Sequence, residues 1–198
     1  ANLMARALAL CYITDRCALE PQPLLPRVRE AIRAGIDLVQ IREKDLPTRE
    51  LADLVKAAVA AAHELATGTR VVVNDRLDVA LALGAAGVHL GTQSLPARVV
   101  RGIVPKDFLI GVSCHSLGEA VRAEEARADY IILGPIFETP SKLAYGPPLG
   151  LEELREVTRR VSLPVLALGG VSVERVKACL EAGAAGIAGI SIFQKAES

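Results

Sequence analysis

Gly183-Ala184-Ala185-Gly186-Ile187-Ala188-Gly189-Ile190-Ser191 decides the fold of this chain. A helix-like stretch runs into glycine, a short apolar run follows, and a polar tip ends it. The same order recurs three times. It is found in Ala34-Gly35-Ile36-Asp37-Leu38-Val39-Gln40-Ile41-Arg42, in Gly84-Ala85-Ala86-Gly87-Val88-His89-Leu90-Gly91 and in Ala126-Arg127-Ala128-Asp129-Tyr130-Ile131-Ile132-Leu133-Gly134. A helix closed by a small residue and followed by a strand that is apolar on both faces is half of a βαβ unit. Repeated along a chain, that unit builds a parallel sheet covered by helices. Such folds carry their working groups at the C-terminal ends of the strands.

Working outward, strand-like runs lie at Leu8–Thr14, Leu38–Ile41, Arg70–Val73, Val88–Leu90, Phe108–Val112, Tyr130–Leu133, Val165–Leu168 and Ile187–Ile190. Helical patterns fall between them at Leu24–Ala34, Thr48–Leu65, Leu77–Leu83, Pro96–Ile103, Leu117–Glu125, Leu151–Val161 and Val173–Ala182. Thr48 and Ser172 read as helix N-caps. Eight alternations predict an α/β fold of the (β/α)8 TIM-barrel type, one small domain over residues 1–198, with the last helix short or missing after Ser191. An open doubly wound sheet is the runner-up, but no GxGxxG loop follows the first strand.

Composition narrows the function classes. Lys and Arg number 23 and Asp and Glu 23, so the chain lacks the basic excess of a nucleic-acid or anionic-membrane surface. No apolar run reaches the length of a membrane span. The chain begins at Ala1 rather than Met, which fits a processed or trimmed N-terminus, and Ala1–Leu10 feeds directly into a strand instead of reading as a signal peptide. The four cysteines, Cys11, Cys17, Cys114 and Cys179, form no CxxC pair and read as reduced thiols of a cytoplasmic protein. The composition allows a homo-oligomer.

The strand tips collect the polar groups. Strand 1 ends in Thr14-Asp15-Arg16. Strand 2 ends in Gln40-Ile41-Arg42-Glu43-Lys44, and period-2 alternation puts Gln40, Arg42 and Lys44 on one side, a set suited to phosphate or diphosphate. The bland alternative is a rim in which Glu43 and Asp45 neutralise those cations. Asn74-Asp75 at strand 3 can hold Mg²⁺ or simply cap a turn. His115, in Ser113-Cys114-His115-Ser116, is a candidate acid/base near neutral pH, with a capping role as the alternative and Cys114 beside it as a lesser candidate nucleophile. His89 should fill the barrel interior, and His63 should face solvent. Thr139, Ser141 and Lys142 in the long loop after strand 6 can cradle an anion. Gly169-Gly170 after strand 7 and Ile190-Ser191 after strand 8 suit a phosphate ester bound through backbone N–H groups.

Taken together, these motifs resemble the thiamine phosphate synthase/TenI family. The matching blocks run from Tyr12–Arg16 through Gln40–Lys44, Asn74–Arg76 with Asp78–Leu81, Gly87–Gly91, Gly111–Ser116, Gly134–Lys142 and Ala167–Gly170 to Ile190-Ser191, nearly the whole chain. The resemblance implies a thiamine-biosynthesis enzyme on a small phosphorylated thiazole. The synthase joins a pyrimidine diphosphate to thiazole phosphate, with Mg²⁺ on the aspartate of the Asn-Asp pair and on a second aspartate after strand 4. The TenI-type tautomerase aromatises a thiazole carboxylate phosphate and needs no metal.

Ser94 stands where the second metal carboxylate belongs, and the Glu138–Lys142 loop followed by Tyr145–Gly150 looks more like the TenI side. On that ground the sequence favours the tautomerase, an isomerase without cofactor. His115 would then move the proton, Arg42 or Lys44 would face the carboxylate, and Gly169, Gly170, Ile190 and Ser191 would hold the phosphate. The synthase is the alternative, with Lys44, Asn74, Thr139, Ser141 and Lys142 on the diphosphate and Mg²⁺ on Asp75. The retained Gln40, Arg42, Lys44, Asn74 and Asp75 speak for it. A non-catalytic thiazole or thiamine phosphate binder, or an isomerase of another small phosphate ester, remains open.

Overall fold

The computed structural model describes residues 8–139 and 147–195. Eight parallel strands close into a barrel in sequence order. They are β1 (Ala9–Ile13), β2 (Leu38–Ile41), β3 (Arg70–Asn74), β4 (Gly87–Leu90), β5 (Leu109–Cys114), β6 (Tyr130–Leu133), β7 (Val165–Ala167) and β8 (Gly186–Gly189). The expected strands are all present, each within two residues of its predicted ends. The barrel closes where β1 meets β8, with Ala9 opposite Gly186 and Cys11 opposite Ala188.

Nine helices lie among the described residues: α1 (Arg16–Leu19), α2 (Leu24–Arg33), α3 (Thr48–Leu65), α4 (Leu77–Ala82), α5 (Ala97–Arg101), α6 (Leu117–Glu125), α7 (Gly150–Arg160), α8 (Val173–Glu181) and α9 (Ser191–Gln194). The four-residue helix α1 was not expected, because so short a helix leaves no periodic signal, whereas α9 is the short last helix expected after Ser191. Asp15 caps α1 through its side chain, which accepts the Ala18 amide at 3.1 Å. Thr48 is corrected from cap to first helical residue. Pro47, with φ −55° and ψ 149°, makes the entry, and the Thr48 hydroxyl accepts from the Arg76 guanidinium at 3.2 Å. No helix among the described residues is long and apolar enough to cross a membrane.

Strand alternation sorts the core into two layers. Cys11, Ile13, Leu38, Val72, Tyr130, Ile132, Leu166 and Ala188 fill the barrel interior. Residues of the opposite parity, such as Val39, Val71, Val88 and Ile110, meet α2 to α5, whereas Ile131, Leu133 and Val165 meet α6 to α8. Continuing the interior parity upward brings Gln40, Asn74, His89 and Ser113 to the C-terminal mouth of the barrel.

Candidate active site

The rim between β1 and β2 is an ion-pair network, but not the one the sequence suggests. Glu43 is buried and its carboxylate accepts the Thr14 hydroxyl at 2.7 Å and the Arg16 amide at 2.8 Å. Asp45 takes both guanidinium nitrogens of Arg16 at 2.7 and 2.6 Å, which holds its carboxyl below the ordinary range. Both carboxylates are therefore committed to Arg16. Among the described residues neither meets Arg42 or Lys44, so these two cations keep their charge for another anion. Strict alternation also ends with β2 at Ile41: Lys44 is exposed on the loop instead of continuing the Gln40–Arg42 face.

Gln194, which the sequence reading missed, ties α9 to the β1 loop. Its carbonyl oxygen accepts the Tyr12 hydroxyl and the Asp15 amide, both at 2.9 Å, and its amide donates to the Asp15 carbonyl at 3.1 Å. Arg27 holds the Gln194 main-chain oxygen from α2. A buried glutamine one turn past the last strand was the available signal.

Inside the mouth Gln40 is 1% exposed, and its Nε2 lacks a hydrogen-bond partner among the described residues. A buried donor left unpaired costs on the order of 1–3 kcal/mol, so such an atom is expected to find its acceptor in a ligand. His89 is also buried, as expected. Burial first, and then the Arg42 charge, push its pKa down to about 3, so the imidazole is neutral at neutral pH. The Arg42 guanidinium therefore lies within electrostatic reach of the barrel interior.

That depressed pKa makes stability pH-dependent. The unfolded chain protonates His89 near the usual 6.5, and the folded one only near 3. Acid therefore favours unfolding: His89 costs nothing above pH 6.5, and stability falls as pH drops from there toward 3. Between pH 7 and pH 5 the wild type should lose about 2 kcal/mol more than His89→Asn. Denaturant titrations of both proteins at the two pH values measure this, and equal losses would contradict it.

At β3 the backbone of Asp75 is left-handed, with φ 65°. Its amide extends the ladder by donating to the His89 carbonyl at 2.8 Å, and its carbonyl accepts the Leu77 amide at 3.0 Å. Asp and Asn tolerate this region better than most residues. Asp75 is exposed and lines a cleft of about 170 Å³ together with Lys44, Asn74 and Arg76. Arg76 itself is paired with Asp78. Ser94 closes a turn after β4, its hydroxyl accepting the Gly91 amide at 2.9 Å.

The remaining predicted residues sit apart from that cleft. His115 follows β5 and is half exposed. Its Nδ1 lies 3.0 Å from the Glu119 carboxylate, which also accepts the His115 amide at 2.6 Å. Ser116 accepts the Glu119 amide in turn and caps α6, while Glu119 reaches back to the amide of the residue before the cap. Cys114 is buried, and its thiol is pushed up to about 12 by that burial, which removes it as a nucleophile at neutral pH. Gly169 and Gly170 have φ 97° and 61°, and a Cβ on Gly169 would meet the Pro135 backbone at 2.6 Å. These glycines let the loops after β6 and β7 touch. Ile190 and Ser191 border a separate hollow of about 160 Å³ with Gln22 and Gln194. Thr139 is half-buried, while Ser141 and Lys142 lie outside the described residues.

Comparison with known proteins bears on these chemistries. The model of the thiamine monophosphate synthase family matches residues 10–193. The chain belongs to this family. The thiamine-phosphate synthase of a Roseiflexus species is 43% identical over 179 residues, 90% of this chain and 75% of that protein. The thiamine-phosphate synthase of Syntrophomonas wolfei is 39% identical over 188 residues, 95% of this chain and 89% of its own. Among solved structures, the thiamine phosphate pyrophosphorylase from Pyrococcus furiosus superposes with a TM-score of 0.86 at 39% identity, covering 99% of this chain and 91% of that one.

These relatives overturn the tautomerase expectation. They are named for the synthase reaction, and the isomerase reading drawn from Ser94 and the β6 loop is withdrawn. The physical reason is that Mg²⁺ does not need an all-protein cage. One or two carboxylates, substrate phosphates and water complete its octahedron. With the tautomerase goes the acid/base role given to His115, whose imidazole is paired with Glu119.

Proposed function

We propose that this family member is a Mg²⁺-dependent thiamine-phosphate synthase, a transferase that joins a pyrimidine diphosphate to thiazole phosphate and releases diphosphate. One observation carries the reading: Glu43 and Asp45 are both engaged by Arg16 rather than by Arg42 or Lys44, and in the barrel mouth the Gln40 amide has no partner among the described residues. Two cations and an amide donor there suit a diphosphate.

In this mechanism Lys44, Asn74 and Thr139, with Ser141 and Lys142 of the same loop, hold the diphosphate. Gln40 and Arg42 bind it from the barrel interior. Gly169, Gly170, Ile190 and Ser191 bind the thiazole phosphate. Among the described residues no three His, Cys, Asp or Glu side chains gather into a metal group. The single exposed carboxylate of Asp75 above an Asn nevertheless fits a cation that takes most of its ligands from substrate and water. When bound there, Mg²⁺ would neutralise charge developing on the departing diphosphate. The chain's own part is to fix both substrates in line and to meet the leaving anion with donors.

Ser94→Asp tests the metal assignment. Asp can accept the Gly91 amide as Ser94 does, so the turn should survive. The Mg²⁺ concentration for half-maximal thiamine phosphate formation should fall several-fold. An unchanged Mg²⁺ dependence would show that position 94 does not face the metal.

A further inference from the structure

His89 has a role that filling the barrel does not explain. Its Nε2 lies 2.8 Å from the Ser113 hydroxyl, and its Nδ1 lies 3.2 Å from the Tyr130 hydroxyl. Ser113 stands one interior position above Gly111 on β5, and Gly111 is opposite both His89 on β4 and Tyr130 on β6. A Cβ at Gly111 would meet Tyr130 Cζ at 2.1 Å and His89 Nδ1 at 2.6 Å. The glycine therefore makes room for the pair, and the three polar side chains form one file leading to the mouth.

We propose that Tyr130 and His89 are positioning residues that set the rotor of Ser113, so that its hydroxyl donates into the barrel mouth toward an acceptor atom of the bound substrate. The polarity of the file follows from its buried end. Tyr130 is wholly buried and keeps its phenol proton. Among the described residues, the acceptor within reach of that proton is His89 Nδ1. A neutral imidazole with Nδ1 accepting must carry its own proton on Nε2. Nε2–H then donates to the Ser113 oxygen, which leaves the serine proton to point outward.

This orientation agrees with the neighbouring groups. Among the described residues Gln40 Nε2 is a donor without a partner, and Arg42 has donors only. A Ser113 that donates makes the mouth a concave surface of donors, suited to an acceptor-rich, anionic substrate. The opposite tautomer would present serine lone pairs beside it. No proton is transferred. The file acts by fixing one of two hydrogen-bond directions before substrate arrives, which removes a reorganisation cost from binding and reaction.

Two measurements test the proposal, and only the second rests on the proposed function. Long-range proton–nitrogen spectra of ¹⁵N-labelled wild-type protein read the tautomers of the three histidines, with His89 assigned by its loss in His89→Asn. The expected result is His89 protonated on Nε2 and bare on Nδ1 at neutral pH, with the preference erased in Tyr130→Phe. Protonation on Nδ1, or a preference that survives Tyr130→Phe, would overturn it.

In the synthase assay Tyr130→Phe and Ser113→Ala should each lower kcat/KM by about tenfold, the worth of one hydrogen bond. The double variant should be no worse than Ser113→Ala alone, because both changes silence the same donor. A multiplied loss near a hundredfold would overturn the relay. The Nε2–H tautomer in a protein that forms no thiamine phosphate would support the relay and refute the synthase instead.

Discussion

Asp75→Asn is expected to lower kcat/KM for thiamine phosphate formation at saturating Mg²⁺ by at least about 100-fold, with the melting temperature nearly unchanged. The size follows from the donor set. Asp75 is the exposed carboxylate of the cleft that also holds Lys44 and Asn74, while Glu43, the other acid of its lining, is buried and bonded to Thr14 and Arg16. A metal clamp on a departing phosphate is worth several kcal/mol, and each 1.4 kcal/mol is tenfold in rate. The change is isosteric. Asn also accepts the left-handed backbone that Asp75 adopts at φ 65°, so the turn from β3 into α4 should persist. Steady-state kinetics across a Mg²⁺ series measure the loss. A variant within a few-fold of wild type would mean that the metal is held elsewhere.

Gly186→Ala is expected to cost about 3 kcal/mol or more of stability, through overpacking that cannot relax. Gly186 is the first residue of β8 and pairs with Ala9 across the seam that closes the barrel. A Cβ there would lie 1.9 Å from the Ala9 carbonyl oxygen and 2.6 Å from its carbonyl carbon. Both are main-chain atoms, so relief requires β1 to move away from β8. β1 leads directly into Thr14, which orients Glu43, so the rim network should loosen as well. For a domain of this size the melting temperature should fall by roughly 6–12 °C. Gly91→Ala is the control, because a Cβ at Gly91 meets nothing within 4 Å. Equal melting temperatures for the two variants would contradict the packing argument.

The barrel was legible because its strands are short apolar runs closed by glycine at both ends of the pattern, as in Gly186–Gly189. Burial on both faces leaves little choice but a parallel sheet under helices. The site was legible in its list of residues and less so in its pairings. Glu43 and Asp45 sit beside Arg42 and Lys44 in sequence, which suggests a local ion pair. Their partner is Arg16, brought from 29 residues before Asp45 by the β1–β2 pairing. The chain turns after Glu43, closed by the Leu46 amide on the Glu43 carbonyl, so adjacency misled.

The histidines were read in part: His89 was placed in the barrel interior, but its polar partners were not seen. His115 drew attention by its place at a strand tip, yet it belongs to the cap of α6. The histidine that reaches the mouth is His89, in phase with Gly111 and one position below the end of β4. Its partners Ser113 and Tyr130 lie 24 and 41 residues away, so no local motif marks them. Ser94 was over-read: a missing carboxylate weakens a metal site without changing the reaction when the substrate brings phosphate oxygens of its own.

The synthase assignment is tested most directly by incubating the purified protein with a pyrimidine diphosphate and thiazole phosphate over a range of Mg²⁺ and quantifying both products. The account predicts thiamine phosphate and diphosphate in equal amounts, with a rate that vanishes when the metal is chelated. Failure to form thiamine phosphate at any Mg²⁺ concentration, with both substrates shown to bind, would contradict it.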